Sequence, residues 1–532
     1  MLKTETIALE ALPGQSRLFL DHAAQAEAVR RFYPSSGSEA AMPPRPAHLA
    51  ELTALLAVQN PQPEAAVQLE AFGNGAGVFV TGQQVGLFGG PLYTPLKAAT
   101  ALARARAATA AGSPHGSIFW LASEDHDFAE IDHVVFPGRR EVRKLRYEKA
   151  PGAAVPVGGV RIGESILPLL EEAWELLGYS DAMQALEAAY QPGKTFAEAF
   201  GEFYRRAFAA QGLLVIDAAS RAIHRLGIPI FQAALERADE LHAALLERNA
   251  ALAAAGYHAQ VVVGAESSLL FLIDEKTGVR QALKRTAAHA GNPDGLWLAG
   301  RQNYSTAELV AILHEAPERI SPSALLRPVF QDHLLGTTAT IGGPAEIAYF
   351  AQSSVLFERI LGRVTPGIAR FMATLIEPKV AELLARHELS LERLWTLDEP
   401  ALAKLLGARA MPGEGKQLLA AAGNALNSEL EPLLAWMKTV DESLGRSAER
   451  SASKMRYQMN RMRNLAANFQ LQKEASLGRQ AAAIAQSLVP GGVLQERVLG
   501  AAYFFARHGF ELAERMTAEA GRAHGRHAAL WL

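Results

Sequence analysis

The sequence predicts an α/β protein: a doubly wound parallel sheet with two small β insertions, followed by a long α-helical arm. Three observations predict it. Val78–Ala111 reads as strand, glycine-punctuated loop and helix, and the apolar run Ser117–Ser123 follows as a second buried strand. Gly342-Gly343-Pro344 repeats Gly89-Gly90-Pro91, each between a strand-like and a helical stretch, as two half-sheets facing one crevice would require. From Glu377 the chain turns helical and rich in alanine, leucine and arginine.

The first 70 residues read as mostly helical after a short lead-in, with loops at Pro34–Ser38 and Pro43–Pro46. Val78–Val80 has the β-branched and aromatic make-up of a buried strand. Thr94 is the expected N-cap of the next helix, with Pro95 at its first position. Val134–Ile162 alternates polar and apolar residues around glycines, as a small β insertion does. Helical spacing resumes over Ile166–Gln211, and Leu213–Asp217 is a further buried strand ending on a carboxylate. Gln260–Leu283 is a second β-rich insertion, with Gly291–Gln302 read as an irregular loop. Thr337–Ile341 is strand-like and Ala345–Leu361 helical.

In the arm, Leu426, Leu430, Leu433, Met437 and Val440 fall on one helical face. A turn near Asp441–Leu444 and a helix from Arg446 to about Leu488 would complete a coiled-coil hairpin, with dimerisation as its use. The expected division is a core over 1–376, with insertions at about 134–165 and 257–325. The arm then covers 377–490, and terminal helices over 491–532 return to the core.

Composition narrows the function classes. The 532 residues carry a net charge of −3, so no broad field favours nucleic acid or an anionic membrane. The absence of cysteine excludes disulfides, thiol nucleophiles and cysteine-bound zinc. No run of ~18 apolar residues spans a bilayer, and the N-terminus lacks a basic-then-apolar plan, so the cytoplasm is the expected compartment.

Chemistry-bearing residues collect at the expected carboxyl edge of the sheet. Gly82, Gln83, Gln84, Gly86 and Gly90 form a loop able to approach a ligand closely. Tyr93 follows, and Lys97 places a cation in the first helical turn, where the dipole disfavours one. That placement fits an anionic guest or, equally, a solvated lysine in an ordinary βα turn. Glu124, Asp125 and Asp127 can hold an ammonium, with His126 as proton acceptor. The alternative for Asp127 is a capping box with Glu130. His133 is near, but the spacing matches no metal motif, and no metal is expected. Arg327 offers a fork for a carboxylate, oriented by Gln331 and Asp332, or else a structural ion pair. Gly342, Gly343, Glu346 and Tyr349 form the facing wall.

These blocks resemble the BshC family, the cysteine-adding enzymes of bacillithiol biosynthesis. The resemblance is carried by Val80–Gln84, Gly86-Leu87, Gly90–Thr94, Phe119-Trp120, Glu124–Phe128, Arg327-Pro328, Phe330–Asp332, Ile341–Pro344, Glu346–Tyr349 and Leu494–Val498. It implies a Rossmann-like core with two connective insertions, as in class I synthetase-type nucleotidyltransferases, and a coiled-coil arm used in dimerisation. It also implies a reaction, joining the carboxyl of cysteine to the amine of glucosaminyl-malate. On that reading Lys97 and the glycine loop hold malate carboxylates or a phosphate, and ATP is the candidate activator. The alternatives are a synthetase-like nucleotidyltransferase and a non-catalytic dimeric protein that binds a nucleotide or metabolite.

Overall fold

Five parallel strands form the central sheet: β1 (Gly77–Gln83), β2 (His115–Leu121), β3 (Leu214–Asp217), β4 (Thr337–Gly342) and β5 (Gly367–Ala369). Their order is β5-β4-β1-β2-β3. The computed structural model describes residues 3–33, 42–138, 141–148, 152–286, 295–523 and 525–532. The loop expected at Pro34–Ser38 lies outside them.

The strands are nearly continuous apolar runs because both faces of the sheet are covered. Along β2, Phe119 and Leu121 pack on one face with Phe200 and Tyr204. Ile118 and Trp120 point the other way, toward Phe330. Helix α1 (Tyr93–Ala110) carries the chain from β1 to β2. On the other side, α3 (Pro344–Leu361), preceded by α2 (Arg327–Leu335), carries it from β4 to β5. The order therefore reverses between β1 and β4, the place where open parallel sheets leave a ligand crevice. Both Gly-Gly-Pro turns stand at that reversal.

The two insertions are present. His133–Pro137 and Val142–Arg146 pair as a hairpin. Farther on, Leu270–Ile273, Arg280–Ala282 and Ile320–Pro322 form one three-stranded sheet, and Lys284–Thr286, Leu296–Ala299 and Gln302–Tyr304 another. Within Gly291–Gln302, the described residues thus hold a strand where a loop was expected; the rest of that stretch lies outside them.

The termini add two strands. The short lead-in holds the strand Thr4–Ala8, and, as a correction, the chain closes on the strand Arg526–Trp531 rather than on helices alone. These pair antiparallel, and Arg526–Trp531 also pairs parallel with Met372–Ile376, giving a small sheet that sews both termini to the end of the core.

The arm is an antiparallel hairpin of α4 (Gly413–Val440) and α5 (Glu442–Lys473), turned at Asp441, whose carboxylate caps Ser443 and Leu444. Close approach is set by small residues. A Cβ on Gly445 would meet the Lys438 backbone at 3.0 Å, whereas one on Gly423 would press only on the movable guanidinium of Arg463. The expected continuous helix to Leu488 is broken at Glu474, and α6 (Ala475–Leu488) follows. No proline or glycine marks that break. Beyond the break, Leu477, Ala481, Ile484 and Leu488 pack with Val380, Leu383 and Leu384 at the base of the arm. Among the described residues no helix is long and apolar enough to cross a membrane.

Candidate active site

The first Gly-Gly-Pro loop is packed, not open. Val85–Gly90 is buried. The Tyr190 hydroxyl donates to Gly86 O at 2.6 Å and accepts from Gly89 N, while Tyr204 donates to Gly89 O. Gly90 O accepts from Ala501 N at 2.9 Å. Positive φ at Gly89 and Gly90 lets the chain fold under these aromatics; a Cβ on Gly89 would lie 2.7 Å from Phe203. Gly86 and Gly90 therefore support the site from beneath and do not line it, contrary to the expectation from spacing. Thr94 is likewise not a cap: α1 starts at Tyr93, and Thr94 is buried in its first turn.

Lys97 is neither solvated nor waiting for an anion. It is 4% exposed and lies 2.5 Å from Glu346 at the start of α3. It also donates to Gly82 O and to Gln83 Oε1, each at 2.9 Å. Glu346 in turn accepts from Gly343 N at 2.7 Å. Burial lowers the Lys97 pKa and Glu346 opposes it. The pair ties β1 and α1 to the turn after β4, directly across the sheet reversal. Gly342 and Gly343 serve this geometry, since a Cβ on Gly342 would press within 2.9 Å of Glu346 and Phe350.

Toward β2 the remaining groups form a second cluster. Gln84 donates to Asp125 Oδ2 at 2.9 Å, and His126 N donates to Asp125 Oδ1 at 2.8 Å. Burial pushes the Asp125 carboxyl up, but Arg327, Gln84, the His126 amide and Arg280 outweigh it and hold it below its ordinary value. Gln83 also donates to the Tyr93 hydroxyl at 3.1 Å. Tyr349 is half-buried, and Arg327 and Glu346 both act on its hydroxyl.

Glu124 lies deeper, its Oε1 2.9 Å from His224 Nε2, with both side chains almost wholly buried. His224 Nδ1 faces the carbonyls of Pro317 and Ile320, so Nδ1 carries a proton. Burial lowers the His224 pKa, yet Glu124 and those carbonyls raise it above its usual value. Asp127 is the N-cap of Phe128–Ile131, accepting from Ala129 N, which bears out the capping alternative without the Glu130 half of the box.

Arg327 stands at the first position of α2, half-buried, with its Nε buried and unbonded. It forms no ion pair or hydrogen bond among the described residues, although its charge acts on Asp125, Arg280 and Tyr349. The expected orienting partners are elsewhere. Asp332 binds Arg363 at 2.5 Å and accepts from Thr337 N, and Gln331 is buried in α2. The structure thus brings Gln83, Gln84, Tyr93, Asp125, His126, Arg327 and Tyr349 to one crevice, with Glu124 at its floor. Among the described residues no cluster is suited to a metal ion.

Three residues escaped sequence reasoning: Arg280, His224 and Arg370. Arg280 reaches His126 from the second insertion, and His224 backs Glu124. Arg370 forms a buried two-pronged pair with Glu496 at 2.6 and 3.0 Å. Of these only the pair had a trace, in the Leu494–Val498 block that contains Glu496.

Fold and site together define a doubly wound α/β protein with a charged crevice at its sheet reversal and a helical-hairpin arm. The chain belongs to the BshC family of bacillithiol biosynthesis. Its residues 2–370 match the family's N-terminal Rossmann-like domain, and residues 373–532 its C-terminal coiled-coil domain. A relative from Koribacter versatilis is 39% identical over 97% of this chain and 98% of its own. One from Solibacter usitatus is 35% identical over 95% of each, and one from Salinibacter ruber 30% identical over 95% of this chain and 94% of its own. All three carry the name "Putative cysteine ligase BshC".

Because Lys97 is buried and Glu346 about a quarter exposed, Lys97→Met should cost about 2–3 kcal/mol, somewhat below a fully buried pair. Urea unfolding should then show Lys97→Met/Glu346→Gln to be less destabilised than the sum of the two single changes. Strict additivity would mean that the pair does not clamp the two halves.

Proposed function

We propose that this protein is the ligase that joins the carboxyl of cysteine to the amine of glucosaminyl-malate, forming the amide bond of bacillithiol. The observation that carries the reading is Arg327. A half-buried guanidinium without an ion-pair partner among the described residues, beside Asp125 at the sheet reversal, is a ready carboxylate fork. Malate supplies carboxylates of that kind. The names of the relatives support the cysteine half of the reaction.

Asp125, kept ionised, faces the crevice as the acceptor for an ammonium group. The proton leaving the attacking amine needs a base. His126 is the one expected from the sequence, but its Nδ1 already accepts from Arg280 at 3.0 Å. Glu124, next to Asp125 in sequence and held by His224, is the acceptor proposed in its place. A free carboxylate also needs activation, for which ATP is the co-reactant in this reading. The glycine loop does not fit its phosphates, because its polar groups are bonded to Tyr190, Tyr204 and Ala501.

The arm supports a homodimer. Met455, Met462, Leu465 and Phe469 form a three–four and seven-residue stripe on α5 and are 48–62% exposed, as an uncovered coiled-coil seam would be. Light scattering should give about twice the 57.1 kDa chain mass, falling to one chain for Met462→Glu/Leu465→Glu. A monomeric wild type would remove the dimer. For the reaction, mass spectrometry of purified protein with cysteine, glucosaminyl-malate and ATP should show the amide product only when all three are present. An adenylate without amide would favour a nucleotidyltransferase, and no product a binding protein.

A further inference from the structure

Arg280 is the most heavily committed side chain at the site, and no part of the proposed reaction requires it. It stands at the start of the Arg280–Ala282 strand in the second insertion, with 2% of its side chain exposed. Its backbone N–H donates to Ala154 O in the stretch after the first insertion's hairpin. Its Nε donates to Ser321 Oγ at 2.9 Å and one Nη to Pro322 O at 2.9 Å, and the guanidinium lies 3.6 Å over the Phe271 ring. Burial pushes its pKa down to about 10, so it stays charged at neutral pH. With its plane fixed by these contacts, the other Nη points at His126 Nδ1 from 3.0 Å.

A guanidinium has five donors and no acceptor. The ring nitrogen that it meets must therefore present a lone pair, so the neutral ring carries its proton on Nε2. Asp125 is the group that could favour the other tautomer. Its Oδ1 lies 3.6 Å from Nδ1, beyond hydrogen-bond reach, and is already bonded to the His126 backbone N–H. No hydrogen bond to His126 Nε2 is found among the described residues, and the ring is about a third exposed.

We propose that Arg280 is a positioning residue that locks His126 in the Nε2–H tautomer, making His126 a hydrogen-bond donor to the carboxyl oxygen that gains negative charge during ligation. This rests on the ligase reading for the identity of that oxygen. The tautomer itself does not. A neutral imidazole presented in this way stabilises a developing oxyanion without taking up a proton. It also explains why an insertion distant in sequence is anchored to the end of β2: it sets the chemical character of His126.

The test is tautomer-resolved NMR of full-length protein labelled with ¹⁵N-histidine, the His126 ring signals being assigned by their loss in His126→Gln. In the wild type, Nδ1 should appear as the unprotonated, pyridine-type nitrogen and Nε2 as the protonated one. In Arg280→Gln, the two tautomers should mix. A wild-type Nδ1–H tautomer, or an unchanged spectrum in folded Arg280→Gln, overturns the proposal. If Arg280→Gln does not fold, the wild-type spectrum decides alone. Turnover provides a second readout. His126→Gln, which keeps an amide donor, should stay within about tenfold of wild type, whereas His126→Ala should lose about a hundredfold or more. Equal loss in both variants overturns the donor role. Absence of product from the wild type would instead sink the ligase reading and leave the tautomer result standing.

Discussion

The architecture of the crevice depends on one buried ion pair, Lys97 with Glu346. Lys97 sits in the second turn of α1 and Glu346 in the first turn of α3, both helices starting at the sheet reversal, so the pair bridges the two half-sheets beyond the ends of their paired strands. Taking a lysine out of water is costly, and the structure offsets that cost with two further acceptors, Gly82 O and Gln83 Oε1. A second cation, Arg370, is close enough to depress Lys97 further, and it is matched by its own fully buried carboxylate, Glu496. Two cations and two carboxylates thus cancel at the reversal. Glu496 also accepts from Ala373 N, and neighbouring Gln495 bonds both the N–H and the carbonyl of Leu375, so the same arrangement docks the C-terminal segment on the core.

Once those charges are paired, the electrostatic character of the crevice falls to the groups left over. Arg327 supplies a cation without an ion pair among the described residues, Asp125 an ionised carboxylate, and His126 a ring whose polarity is set from outside the sheet. The strands place these groups at one edge; the insertions decide what they can do. Arg280, Ser321 and Pro322 come from the second insertion, and Arg280 is also tied to Ala154, so both stretches between core strands converge on the end of β2.

Much of the scaffold was legible in the sequence because burial on both faces writes itself as continuous apolar runs. Val78–Val80, Ser117–Ser123, Leu213–Asp217 and Thr337–Ile341 all became strands of one parallel sheet. The helical hairpin was legible from its three–four spacing. The terminal strands were not, because Thr4–Ala8 and Arg526–Trp531 are short and acquire their pairing only from distant segments, from each other across nearly the whole chain and, for Arg526–Trp531, also from Met372–Ile376. The site was legible in location more than in role. Lys97 and Glu346 each invited a separate ligand reading, since nothing local says that they are partners. The glycine loop looked open because glycine permits close approach of any kind, and here the visitors are Tyr190, Tyr204 and Phe203 from the same chain. Arg280 left no pattern at all: a single arginine in a short strand gives no hint of the histidine that it meets.

In the proposed reaction the anionic substrate is held by Arg327, which has no ion pair or hydrogen bond among the described residues, and Lys97 is structural. Isothermal titration of glucosaminyl-malate into wild type, Arg327→Met and Lys97→Met, each confirmed folded at the assay temperature, tests it most directly. Affinity should weaken about 10- to 100-fold for Arg327→Met, roughly 1.5–3 kcal/mol of charge-assisted contact, while Lys97→Met should bind within a few-fold of wild type. Unchanged affinity in Arg327→Met, or a loss confined to Lys97→Met, would contradict it.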